Sequence, residues 1–137
     1  MITQFNIRVY CLARHQDKIL VLKEPFMGEL IHKFPGGGLE FGEGTLECLH
    51  REFKEELNLE ITHLQHFYTQ EDFVETPLRP HLQLFLVYYT ADIVDINSLE
   101  IIDKNIAEVR WIPITELNEN EFELPVDKQV VKMLLNK

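Results

Sequence analysis

The run Gly36-Gly37-Gly38-Leu39-Glu40-Phe41-Gly42-Glu43-Gly44-Thr45-Leu46-Glu47-Cys48-Leu49-His50-Arg51-Glu52-Phe53-Lys54-Glu55-Glu56-Leu57-Asn58-Leu59 decides how the chain is read. A glycine-rich loop opens it and an acid-rich helix follows. Thr45 to Leu57 contains neither Gly nor Pro, and Leu46, Leu49, Phe53 and Leu57 recur at spacings of three and four. That is the apolar stripe of an amphipathic helix. Glu52, Glu55 and Glu56 stand at i, i+3 and i+4 and share a different face.

Each like-charge pair at these spacings costs an isolated helix about 0.2–0.5 kcal/mol, so the crowding asks for compensation. Arg51 and Lys54 offset part of it, with Glu47 and Glu55 one turn from Arg51 on either side. Two readings cover the rest. One is a hard divalent cation, since Mg²⁺ takes a few carboxylates and leaves its other positions to water and phosphate. The other is a solvated acidic face. The residues alone leave both open.

The pattern Gly37-x5-Glu43-x7-Arg51-Glu52-Phe53-x-Glu55-Glu56-x-Asn58-Leu59 resembles the signature box of the Nudix hydrolases, Gly-x5-Glu-x7-Arg-Glu-(apolar)-x-Glu-Glu-x-Gly-(apolar). Every charged position and every spacing is met. Asn58 departs, standing where the family has Gly. That Gly ends the helix in a left-handed conformation, and Asn is the next best residue there.

The resemblance implies an α/β fold, an α/β/α sandwich around a central mixed sheet. It implies Mg²⁺-dependent hydrolysis, with Mn²⁺ as a substitute, of a small nucleoside diphosphate linked to another moiety. An NTP or dNTP, ADP-ribose and a nucleotide sugar all fit, and a nucleoside monophosphate is released. By the same likeness Glu55 and Glu56 are metal ligands and Glu52 a ligand or the general base. The Gly36 carbonyl is a further ligand, Glu43 an additional or supporting carboxylate, and Arg51 holds the carboxylates in register.

Many family members use another Glu from a late loop. Glu108 is the candidate, because Glu108-Val109-Arg110-Trp111-Ile112-Pro113 and Glu116-Leu117 also resemble the family. Glu71, Asp72 and Asp103 compete with it. Gly37 and Gly38 are expected beside the substrate. Phe26, Phe73 and Phe122 are candidates to stack on a base, with anchoring in the core as the alternative. The box requires none of His32, His50 or His81.

Two other functions compete: a Nudix-like module that binds a nucleotide without cleaving it, and a hydrolase of RNA 5′ ends or of non-nucleotide diphosphates. The intact acids argue against the first. A net charge of −10 disfavours a nucleic-acid polymer, whose binding rests on a basic footprint.

The 137 residues suffice for one domain, 1–137, with its own core. No run is apolar enough for a membrane span, and Met1 to Asn6 lacks the features of a signal peptide. Cys11 and Cys48 form no metal or redox spacing and read as buried, reduced thiols, so a cytoplasmic location is expected. A monomer or a homodimer fits.

Strands are predicted at Ile7–Ala13 and Lys18–Lys23 as a hairpin, at Leu30–Phe34, across His63–Val74 and at Ala107–Ile112. His81–Asp92 is the strongest, and its near-continuous apolar run predicts a central strand buried on both faces. Glu24–Glu29, Glu75–Pro80 and Ile93–Asn105 read as connections. A short helix is predicted at Pro113–Leu117, and Val126–Leu135 forms a terminal amphipathic helix.

Overall fold

Strand β1 (Gln4–His15) divides the molecule by the two-residue period of its side chains. Val9, Cys11 and Ala13 pack in one core with Cys48, Leu49, Phe53 and Leu57 of helix α1 (Thr45–Leu57). Tyr10 and Leu12 pack in a second core with Val126, Val130, Val131 and Leu134 of helix α2 (Pro125–Leu135). The computed structural model, which describes residues 1–76 and 79–136, is therefore an α/β/α sandwich.

Strand β2 (Lys18–Phe26) turns back from β1, and β3 (Glu29–Lys33) turns back from β2. β4 (Gly36–Gly38), β5 (Ile61–Thr69), β6 (Leu82–Ile93) and β7 (Glu108–Pro113) complete the sheet among the described residues. The main path runs β3-β2-β1-β6-β5, with β4 paired to β1 and β7 to β2. β1 and β6 are parallel from Gln4 opposite Leu82 to Arg14 opposite Asp92; the other pairs are antiparallel. The sheet is mixed, and β6 lies inside it, as its apolar run predicted, but it is buried on both faces only over Leu86, Val87 and Tyr88, with Phe85 and Asp92 exposed.

Several expectations are corrected. The predicted loop Glu24–Glu29 is a hairpin: β2 continues to Phe26, and Met27 (φ 52°) and Gly28 (φ 83°) make the turn. Two successive positive φ values match the twist of the flanking strands. Pro25 is tolerated because β7 pairs with β2 only as far as Lys23, leaving an edge where a missing N–H costs nothing. The glycines expected as loop form β4, opposite Arg8, Val9 and Tyr10. Leu46 is exposed, so the buried stripe of α1 starts at Cys48 and Leu49 and includes Glu56. The strand expected to reach Val74 ends at Thr69, with bulges around His63 (φ 55°) and Phe67. The short helix after β7 is a single 3-10 turn, Ile114–Glu116. Pro77 and Leu78, in the predicted loop Glu75–Pro80, lie outside the described residues.

The termination of α1 follows its sequence. Asn58 has φ 54° and ψ 36°, the left-handed cap, and its Nδ2 donates to Ser98 O at 3.1 Å. Cys11 and Cys48 are free and buried. No described helix is long and apolar enough to cross a membrane.

Candidate active site

The site begins with the missing side chains of β4. A Cβ on Gly36 would lie 2.1 Å from Val9 O, and one on Gly37 would lie 2.4 Å from Glu52 Cδ. Glycine at these two positions lets β1 on one side and α1 on the other close onto one strand. Cys48 Sγ faces the carbonyls of Gly37 and Gly38 at 3.9 and 3.6 Å. Burial pushes its thiol up to about 12, so it stays protonated and can donate to them.

Arg51 organises the acids. Its Nε and Nη2 donate to the two oxygens of Glu43 at 2.9 and 2.7 Å. Its Nη1 donates to Glu52 at 2.8 Å and to Glu55 at 3.2 Å, and Nη2 also reaches Gly38 O at 3.0 Å. The fork of Arg51 holds the Glu43 carboxyl down at about 2, with the Glu40 amide assisting. Glu47, one turn from Arg51, is not its partner: its carboxylate accepts from the Gly44 amide at 2.9 Å and caps the helix.

Beside this network lies a cleft of about 440 Å³. Gly36, Gly37, Glu52, Glu55 and Glu56 of the box line one side of it. Arg8 from β1, Glu24 from β2, Lys33 from β3 and Asp103 from the loop before β7 also line it. Carboxylate oxygens of Glu24, Glu56 and Asp103 lie within 4.8 Å of one another. Glu56 is 9% exposed, and burial first, then Glu52, pushes its carboxyl well above the usual carboxylate range. The amides of Ile102 and Asp103 donate to Glu56 O at 2.8 and 3.3 Å, which ties the Asp103 loop to the end of α1. The crowded, all-oxygen donor set suits Mg²⁺ or Mn²⁺.

Other candidates fall elsewhere. Glu108 starts β7 with its carboxylate exposed and 3.9 Å from Lys23 Nζ, and it does not line the cleft; Asp103, its competitor, does. Glu71, Asp72, Phe73, His50 and His81 are exposed. Phe26 is partly exposed near the β2–β3 turn. Phe122 is 1% exposed and stacks on Phe34 at 4.8 Å between ring centroids, which makes it a core residue. His32 is buried, with Nδ1 on Glu121 O and Nε2 facing Arg110, each at 3.1 Å. Arg8, Glu24 and Lys33 were not singled out from the sequence. Only the antiparallel register of β2 and β3, which sets Glu24 3.0 Å from Lys33 Nζ, exposes their part in the cleft.

The profile of the NUDIX domain matches residues 3–134. The chain belongs to the Nudix family. Solved structures of similar fold include a NUDIX hydrolase from Nitrosomonas europaea (20% identity, TM-score 0.76, 93% of this chain and 86% of that one). The ORF135 protein of E. coli is another (19%, TM-score 0.79, 98% and 91%). A MutT NUDIX hydrolase from Burkholderia pseudomallei is a third (13%, TM-score 0.78, 96% and 98%). At these identities the likeness shows the fold. Family membership makes the protein a hydrolase of phosphoric anhydride bonds, of the pyrophosphohydrolase kind.

Proposed function

We propose that this Nudix enzyme hydrolyses a small nucleoside diphosphate derivative with Mg²⁺, Mn²⁺ serving as substitute, and releases a nucleoside monophosphate. NTPs or dNTPs, ADP-ribose and nucleotide sugars form the substrate class. The observation that carries the reading is the meeting of Glu24, Glu56 and Asp103 oxygens in the lining of a cleft that also holds Glu52 and Glu55. Its size, about 440 Å³, suits a compact ligand. The formal charge of −10 gives a polymer little to grip.

Glu55 and Glu56, with the Gly36 carbonyl, Glu24 and Asp103 near them, are the residues to hold the cation. A bound divalent ion supplies charge neutralisation at the phosphoryl oxygens and activation of water. The other steps belong to the chain. Glu52 accepts the proton of the attacking water at the oxygen that Arg51 leaves free, its other oxygen being fixed at 2.8 Å by Arg51 Nη1. Glu43 fixes the guanidinium through two hydrogen bonds and so keeps Glu52 and Glu55 in register.

A panel of dNTPs, ADP-ribose, nucleotide sugars and dinucleoside polyphosphates, assayed with Mg²⁺ and with Mn²⁺, tests the reading. A nucleoside monophosphate product that disappears with EDTA supports it. Preferential release of pyrophosphate from triphosphorylated RNA would replace it with the polymer reading. Tight nucleotide binding without turnover would replace it with a binding module.

A further inference from the structure

The roles above leave Arg8 without a task. It is half-buried on β1, two residues from Tyr10 and on the same face of the strand. Its Nε donates to the Tyr10 hydroxyl at 2.6 Å. Among the described residues neither Nη nitrogen has a hydrogen bond or an ion pair. Yet Arg8 lines the cleft together with Glu52 and Glu56. A Cβ on Gly38 would lie 3.7 Å from Arg8 Nη1, which sets the fork over β4, next to the glycine that abuts Glu52. Lys33, the other cation lining the cleft, is held by Glu24 at 3.0 Å. Among the described residues Arg8 is thus the cleft cation whose terminal donors are free.

A guanidinium fork matches the paired oxygens of a phosphoryl group, and a fork already oriented by a hydrogen bond loses less freedom on binding. We propose that Arg8 binds non-bridging phosphoryl oxygens of the substrate, with Tyr10 as the positioning residue that aims its guanidinium. The inference rests on the reading that a pyrophosphate enters this cleft. The competing role, an offset for the charge of Glu52 and Glu56, would show in cation binding instead.

Calorimetry on the full chain separates the two. Mn²⁺ is titrated first, then inorganic pyrophosphate into the Mn²⁺-loaded protein, for the native chain, Arg8→Lys, Arg8→Gln and Tyr10→Phe. Arg8→Gln is expected to weaken pyrophosphate tenfold or more while Mn²⁺ affinity stays within about threefold. Arg8→Lys, which keeps the charge and loses the fork, falls between. Tyr10→Phe weakens pyrophosphate several-fold with Mn²⁺ affinity unchanged, and raises KM more than it lowers kcat for whichever substrate of the panel the native chain turns over. Pyrophosphate binding within twofold of native in Arg8→Gln overturns the proposal, as does an equal loss of Mn²⁺ affinity. A native protein that binds no pyrophosphate overturns this inference, whereas the parent reading falls only if the substrate panel releases no nucleoside monophosphate.

Discussion

A side chain on residue 37 and the carboxylate of Glu52 in its present position are mutually exclusive, since a Cβ there would meet Glu52 Cδ at 2.4 Å. Gly37→Ala therefore has to push Glu52 off its hydrogen bond with Arg51. A displacement of about 1 Å in a positioned catalytic group costs on the order of a hundredfold in rate. Turnover of the Gly37→Ala protein should fall by at least that much while its circular dichroism stays native. Activity within threefold of native would show that the position of Glu52 is not limiting.

Cation binding should appear as stability. At a hundredfold excess over Kd, one bound ion adds about 2.7 kcal/mol to the folded state. Melting in Mg²⁺ or Mn²⁺ should rise accordingly in the native chain and fail to rise in the double variant Glu55→Gln/Glu56→Gln. An equal rise in both would place the ion elsewhere.

The Arg51–Glu43 clasp makes a prediction in acid. Arg51 depresses the Glu43 carboxyl from 4.5 to about 2 in the folded protein. A depressed carboxyl contributes stability that is present above its unfolded value and lost as pH falls through the folded one. The window is therefore pH 4.5 down to about 2. Carboxyl NMR should place Glu43 near 2 in the native chain and shifted back toward its ordinary value in Arg51→Met, where the Glu40 amide still holds it down.

Asp127 has the opposite sign. It is 4% exposed, its Oδ1 accepts from the Tyr88 hydroxyl, and burial raises its carboxyl from 3.8 to about 6. A raised carboxyl contributes stability that is full below pH 3.8 and lost as pH climbs through about 6. Each tenfold difference in proton affinity between folded and unfolded chain is worth about 1.4 kcal/mol, so the loss comes to roughly 3 kcal/mol. Urea unfolding at pH 4 and pH 8 should show the native chain losing stability relative to Asp127→Asn by an amount of this order. Parallel pH profiles for the two would reject the assignment.

The cap at Asn58 is a local test. Asn58→Gly keeps the left-handed backbone and gives up the bond to Ser98 O, so it should change stability by no more than about 1 kcal/mol. Asn58→Val forces a β-branched residue to φ 54° and should cost about 1–3 kcal/mol by thermal melting.

What the sequence revealed was local. Helix α1, its Asn58 cap, the acid row and the inner place of β6 each follow from periodicity or from a single residue's backbone preference. What it concealed came from register and burial. Pro25 and Gly28 read as breakers, so Glu24 was lost in an apparent loop, although the Met27-Gly28 turn sends β3 back to set Lys33 beside it. Gly36 to Gly38 carry no side chain to signal a strand, and their extended form depends on pairing with β1. Asp103 and Glu108 are both acids of one late segment. Their exposures and partners differ because the Asp103 loop is bonded to the end of α1 while Glu108 stands beside Lys23.

The parallel pairing of β1 with β6 also sets an order of events in folding. Partners such as Gln4 and Leu82, or Arg14 and Asp92, lie more than half the length of the chain apart in sequence. Closing so long a loop has to precede any reward from the contact, which slows the step. On the ribosome, synthesis at about 5–20 residues per second keeps β1 waiting for seconds before its partner exists. During that interval the β1–β2 and β2–β3 hairpins can form, while the inner edge of β1 stays open. Strands able to pair with that edge in the wrong chain are the hazard of this interval, and a slow refolding phase that aggregates with rising protein concentration is its expected mark.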